Sequence, residues 1–451
     1  MAGLNVFSSL PPACRLRCRG LWAYYALTAA MLSLPMASMT LLLNTQLGLA
    51  SRPERVTAYY QATFATTVMR PLLGVLSDRA HSRRWLLASA SACAGAATFS
   101  LGALVDSLPS LFVTGLLAAF AFCAAETAAD GALIEAATGD AALVAQLQVA
   151  AMFVRSAAAA AASVLSAVLL RVTTPRVVIC LAGCFGMAAA AVALARFEAS
   201  AQKRRLSPEW SSPRRIGGVL RRRALPALLL FSLAASPSAT DAYTSYISVT
   251  MTPQLLGIAT AAETLCALGG TLWYGAAAGR HSTRVLLAAG VTAAACVSVL
   301  RAAAPLGSIA SPAYIVLVAA LSGAVSRLAF MPVLVLSAQL APSGAEAACF
   351  AALVTINDVG ALAGSCLTQG LTAAMRVGQP PDRSWRLLPL FVLVCALASL
   401  APLLLLPCVQ QLGPDDAPPA EHADEADFAE DASVPLLESG ELDAAAEAEG
   451  E

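Results

Sequence analysis

Apolar runs of about 20 residues or more recur along nearly the whole chain. Each is long enough to cross a hydrocarbon core of about 30 Å as a helix. That recurrence fixes the solvent in which most of the chain folds. No water inside a bilayer satisfies backbone N–H and C=O groups, so only helices and closed β-barrels span it. A barrel would alternate polar and apolar positions, whereas Ala and Leu dominate these runs. Charged residues make up 12% of the sequence, against roughly a quarter in soluble domains. The chain reads as an all-α integral membrane protein, multi-pass in a plasma or an organellar membrane.

About twelve spans fit, beginning near residues 21, 56, 85, 108, 142, 176, 224, 254, 284, 312, 345 and 385. An even count puts both termini on one side. Flanks and loops there carry roughly 17 Lys and Arg against about 8 opposite, which makes that side cytoplasmic. The apolar pattern breaks at 199–223, where Lys203, Arg204, Arg205, Arg214, Arg215, Arg221, Arg222 and Arg223 mix with Ser and Pro. Beside a membrane, such a run holds a cytoplasmic loop near anionic lipid; nucleic acid is not the expected partner. Five segments follow: a cytoplasmic segment 1–20, a six-helix half 21–198, the basic linker 199–223, a second six-helix half 224–409 and an acidic, disordered tail 410–451.

The second span leads into the third through Arg70-Pro71-Leu72-Leu73-Gly74-Val75-Leu76-Ser77-Asp78-Arg79, followed by His81-Ser82-Arg83-Arg84, which sets a charged turn between two apolar stretches. The order of Gly, Asp-Arg and a basic pair resembles the signature loop of the major facilitator superfamily, which implies gating roles for Asp78, Arg79, Arg83 and Arg84. The segment His81-Ser82-Arg83-Arg84-Trp85-Leu86-Leu87-Ala88 returns as His281-Ser282-Thr283-Arg284-Val285-Leu286-Leu287-Ala288. Two pseudo-symmetric halves follow from that repeat, with a substrate path at their interface and alternating access as one rocks against the other. Nothing acidic in the second copy matches Asp78, so the halves gate differently.

Ionisable groups inside spans are costly and mark solute or ion pathways. Glu126 and Asp130 share a face of the fourth span at about 100° per residue, while Glu135, nearer the cytoplasmic end, is a loop or gate residue. Arg155 falls near the middle of the fifth span, where an unpaired Arg costs about 2.5 to 3.5 kcal/mol. Asp130 and Glu126 are its nearest partners along the chain, in a pair that an anionic solute would disturb or that merely orders the bundle. Arg70, Asp241, Glu263, Arg327 and Asp358 also lie within spans. Glu346 and Arg301, near span ends, are expected to snorkel.

Other chemistries leave little trace. Twelve Cys without a CxxC pair and three His suggest no metal site, although Cys14 and Cys18 sit where acylation occurs. Phosphate loop, HExxH and nucleophile elbow are absent, so neither an enzyme, a bound cofactor nor a nucleotide-driven pump is expected. Uphill transport would draw on an ion gradient, most economically protons held by buried carboxylates. Arg15, Arg17 and Arg19 weakly suggest a transit segment, but positive flanking of the first span explains them better. The tail carries fourteen acidic residues and no Lys or Arg, and its Val434-Pro435-Leu436-Leu437 is too loosely spaced from the acids for a sorting signal.

Several separated motifs together resemble the folate-biopterin transporter family of the major facilitator superfamily. They are Arg70-Pro71 with Gly74 and Ser77-Asp78; Glu126, Asp130 and Glu135; Leu147-Gln148 with Arg155; and Ser236-Pro237-Ser238 with Asp241-Ala242. Pro253 with Leu256-Gly257, Met331-Pro332 and Ala341-Pro342-Ser343-Gly344 extend the likeness through the eleventh span. Departures are the Ala run 157–162, where Gly-rich packing is usual, and Asp358 in place of a common Asn. The resemblance implies transport of a pteridine, folate or biopterin. Asp130 or Asp241 would take the pterin edge, Arg155 or Arg70 the glutamate tail of folate, and Glu126 the proton. Alternatives are another organic anion or amino-acid derivative on the same architecture, or a non-transporting sensor signalling through its tail.

Overall fold

The computed structural model describes residues 10–11, 15, 18–43, 47, 53–80, 82–136, 141–196, 224–240, 242–243, 246–247, 253–278, 280–305, 311–339, 346–377 and 385–408. The basic linker, the acidic tail, His81 and Asp241 lie outside these residues.

Twelve helical regions run through the described residues, each starting within about three residues of an expected span. The first half comprises α1 (Arg19–Ser33), α2 (Met36–Leu41), α3 (Pro53–Ala65), α4 (Arg70–Arg79), α5 (Arg83–Leu104), α6 (Leu108–Glu135), α7 (Ala141–Leu169) and α8 (Pro175–Arg196). The second comprises α9 (Ala224–Ala234), α10 (Pro253–Ala278), α11 (Thr283–Arg301), α12 (Pro312–Gln339), α13 (Glu346–Ala374) and α14 (Leu388–Ala398), which a 3₁₀ stretch extends over Ala401–Cys408. Among the described residues, eight helices are long and apolar enough to cross a membrane. Of the four other regions, α10 is long but less apolar over its described residues, and the first, second and seventh spans are shorter or interrupted. Leu34-Pro35 separates α1 from α2, a 3₁₀ turn at Thr66–Met69 separates α3 from α4, and α9 ends shortly before Pro237; Pro removes a backbone donor and crowds the preceding turn.

Proline also opens helices. Pro53, Pro175, Pro253 and Pro312 are first residues, where a missing N–H costs nothing. At α6 the cap is reciprocal: Ser107 Oγ accepts from the Ser110 N–H at 3.4 Å, and Ser110 Oγ from the Ser107 N–H at 3.3 Å.

Close packing relies on small residues, as expected where lipid offers no hydrophobic drive for helix association. Against α8, a Cβ on Gly95 of α5 would stand 2.8 Å from the Gly183 carbonyl oxygen, and one on Gly186 would stand 2.6 Å from the Gly95 Cα. Between α10 and α12, a Cβ on Gly323 would run into the Glu263 carbonyl, and one on Gly270 into that of Ala324. Large apolar side chains such as Leu104, Val113, Val172 and Leu404 are exposed on the outside of the bundle, the surface a bilayer covers.

The largest buried apolar cluster draws on both halves: Leu133 and Leu147 from one, Tyr274, Met331 and Phe350 from the other. It lies toward the end that the positive charges assign to the cytoplasm. Clusters at the opposite end stay within one half, around Tyr59, Leu101 and Ile179 in the first and around Val377, Leu388 and Phe391 in the second.

Candidate functional site

Along α6, Glu126 and Asp130 stand one turn apart, and α7 brings Arg155 opposite both. Its Nη1 donates to Glu126 Oε1 at 3.0 Å and its Nη2 to Asp130 Oδ1 at 2.6 Å. A planar guanidinium suits this, since its fork spans two acceptors with one rotamer. From α1 the Tyr25 hydroxyl donates to Asp130 Oδ1 at 2.8 Å, and the Arg155 guanidinium lies 4.1 Å from the Tyr25 ring centre. Cation–π attraction adds to the ion pairs there.

Arg70 reaches the cluster because the second span breaks. The 3₁₀ turn at Thr66–Met69 and Pro71 in the first turn of α4 place Arg70 at a helix start, midway along the span. Its Nη2 donates to Glu126 Oε2 at 2.7 Å, so Glu126 is shared by two arginines. Nη1 lies 3.5 Å from Asp358 Oδ2 on α13, a looser contact that links the two halves. Asp358 Oδ2 and Arg70 Nε lack a hydrogen-bond partner among the described residues.

Around these groups lies a cavity of about 270 Å³ between the halves. Arg70, Glu126, Asp130 and Arg155 line it from one half, and Arg327 and Asp358 from the other. Phe122, Phe330 and Phe350 supply flat apolar wall. Most buried charges costly enough to be noticed in the sequence thus converge on one space. Sequence reasoning missed Tyr25 and the three Phe, whose contacts require helices distant in the chain to pack together.

A second charged cluster sits toward the end that the positive charges assign to the cytoplasm. Arg83 Nη2 donates to Asp78 Oδ1 at 2.7 Å, and Nη1 pairs with Glu135 at the end of α6. The other oxygen of Asp78 accepts from the Ala348 N–H at 2.9 Å, in the first turn of α13. A buried carboxylate of the first half thus caps a helix of the second, where the helix dipole favours negative charge. Arg79 is exposed and Arg84 half-buried.

Several singled-out residues stand apart. Glu263 on α10 is exposed and does not line the cavity. The Asp241 position is outside the described residues, as is the Glu346 side chain. Arg301, expected to snorkel, instead donates to Thr240 Oγ1 at 2.7 Å and Ser322 Oγ at 2.8 Å. Polar partners inside its own half hold it more cheaply than a reach to water.

Two halves of six spans, with a charged cavity between them and a gate-like cluster beyond it, define a membrane transporter of the major facilitator fold. Solved structures of that fold superpose on most of the chain. The human organic anion transporter MFSD10 (TETRAN) matches with a TM-score of 0.65 at 13% identity, over 88% of this chain and 100% of that one. The nucleoside transporter NupG matches with a TM-score of 0.62 at 12% identity, over 88% of this chain and 99% of that one. Among curated proteins, none matches in sequence. The chain belongs to the BT1 family, the folate-biopterin transporter family, which matches residues 30–429.

Proposed function

We propose that the protein is a proton-coupled secondary carrier of pteridines, folate or biopterin, working by alternating access. One observation carries this reading: an aromatic-walled cavity between the halves, into which three carboxylates and three arginines project. Its volume, about 270 Å³, is near the lower end for small-molecule sites, roughly 300–1,000 Å³, and suits a bicyclic ring. A pterin presents adjacent N–H donors that a carboxylate accepts as a pair, and Asp130 is the acceptor in this reading. Asp241 is the alternative acceptor and Arg70 and Arg155 the contacts for an anionic tail.

Coupling follows from charge. With all six groups ionised, the lining is neutral. An anionic solute would leave excess negative charge in a poorly solvated space, and a proton on one carboxylate removes it. Glu126 is the proposed site, because protonating it loosens Arg70 and Arg155 at once. Asp78, Arg79, Arg83, Arg84 and Glu135 serve the cytoplasmic gate, and Asp78 releases the α13 terminus when that side opens.

The test is uptake of labelled folate and biopterin by cells lacking their own carrier, with the protein verified at the surface. Saturable uptake, stimulated by an acidic exterior, is expected. No uptake at acidic or neutral pH would sink the pteridine assignment and favour another organic solute on the same fold.

A further inference from the structure

Arg327 differs from the other two arginines of the cavity. Arg70 and Arg155 each contact two carboxylates. No carboxylate lies within ion-pair distance of Arg327 among the described residues, and no hydrogen-bond acceptor is shown for it. It is half-buried and lines the cavity on α12 together with Phe330 and Leu334. That i, i+3, i+7 spacing puts all three on one helix face. The α12 wall is therefore apolar but for one guanidinium, and it faces a wall of carboxylates already engaged by arginines. A cation kept at membrane depth without a counter-ion costs free energy that a permanent ion pair would have avoided.

We infer that Arg327 is the docking point for an anionic group of the transported solute, a carboxylate carried on a flat ring. Asp130 receives the ring's donor edge, Phe330 and Phe350 flank its faces, and the carboxylate closes an ion pair with Arg327. Arg70 and Arg155 must first give up a bound carboxylate to do the same, so Arg327 makes the first contact. The inference rests on the central cavity being the solute site, but not on the solute being a pteridine.

Full-length protein in lipid nanodiscs, titrated with two matched pairs of probes, tests it. The pairs are pterin-6-carboxylate against biopterin, and nicotinate against nicotinamide. Charge-assisted hydrogen bonds predict that wild type binds the carboxylate of at least one pair about tenfold to a hundredfold more tightly than its uncharged partner. In Arg327→Gln that preference vanishes while the uncharged partner's affinity holds, and Arg327→Lys keeps part of it. Arg327→Met, similar in length, substitutes if the Gln variant does not fold. A carboxylate preference that survives both replacements, or that wild type lacks in both pairs, overturns the inference. The outcomes separate the two readings. Equal binding of both pteridines, with no preference in the nicotinate pair, sinks the Arg327 role alone. A nicotinate preference with no pteridine binding sinks the pteridine assignment alone.

Discussion

Arg155 contacts Glu126 and Asp130 through two nitrogens of one planar group, a task that a lysine ammonium cannot copy. Arg155→Ala should abolish uptake while the protein still reaches the membrane. Arg155→Lys should lower uptake at least about tenfold, because charge without the fork cannot hold both carboxylates. Uptake and surface labelling on the same cells check both; normal uptake by the Ala variant would remove Arg155 from the mechanism. Glu126 and Asp358 differ in their ties, since Glu126 accepts from two arginines at 2.7 and 3.0 Å while Asp358 has one at 3.5 Å. Glu126→Gln keeps an acceptor but cannot titrate, so acid stimulation of uptake should disappear in it. Asp358→Asn should retain that stimulation. Initial rates across a pH series distinguish the two, and retained stimulation in Glu126→Gln would move the proton elsewhere.

At the scale of elements, adjacent glycines on α10 offer an internal control. A Cβ on Gly270 would collide with the Ala324 backbone, while one on Gly269 meets nothing within 4 Å. Gly270→Ala should destabilise by about 1–3 kcal/mol through overpacking. Gly269→Ala should be neutral or stabilising by up to about 1 kcal/mol from helix propensity. Melting of the purified proteins in detergent reads the difference, and equal melting points would mean that α10 and α12 approach less closely. These elements were largely legible in the sequence, since span length is an arithmetic consequence of bilayer thickness. The break before Arg70 was not. Pro71 fits the first turn of a new helix as readily as a kink in a continuous one, and only packing chose the former.

Across the whole molecule, the apolar cluster shared by the halves and the Asp78–Ala348 contact both join the halves at the end that the positive charges assign to the cytoplasm. Asp78→Asn removes the charge that faces the α13 terminus and weakens the bond to Arg83. It should shift the population toward a state open to the cytoplasm by about 1 kcal/mol, roughly fivefold. Cys349, one residue beyond Ala348, is buried and serves as a native reporter. Its alkylation by a polar maleimide applied from the cytoplasmic face, followed by peptide mass spectrometry, should accelerate in Asp78→Asn. An unchanged rate would show that the apolar cluster alone holds the gate.

Span length and helical periodicity were enough to read the membrane setting, the approximate starts of the spans and Glu126 and Asp130 as the nearest partners of Arg155. All of these depend on local periodicity, or on neighbours one loop apart. Only the tertiary structure brings Arg70 across the interface to Asp358, sets Asp78 as the cap of α13, leaves Glu263 out of the cavity lining and puts Arg327 on the cavity with no counter-ion among the described residues. Each depends on which helices of different halves become neighbours, and helical periodicity fixes a residue's face without saying what that face will meet.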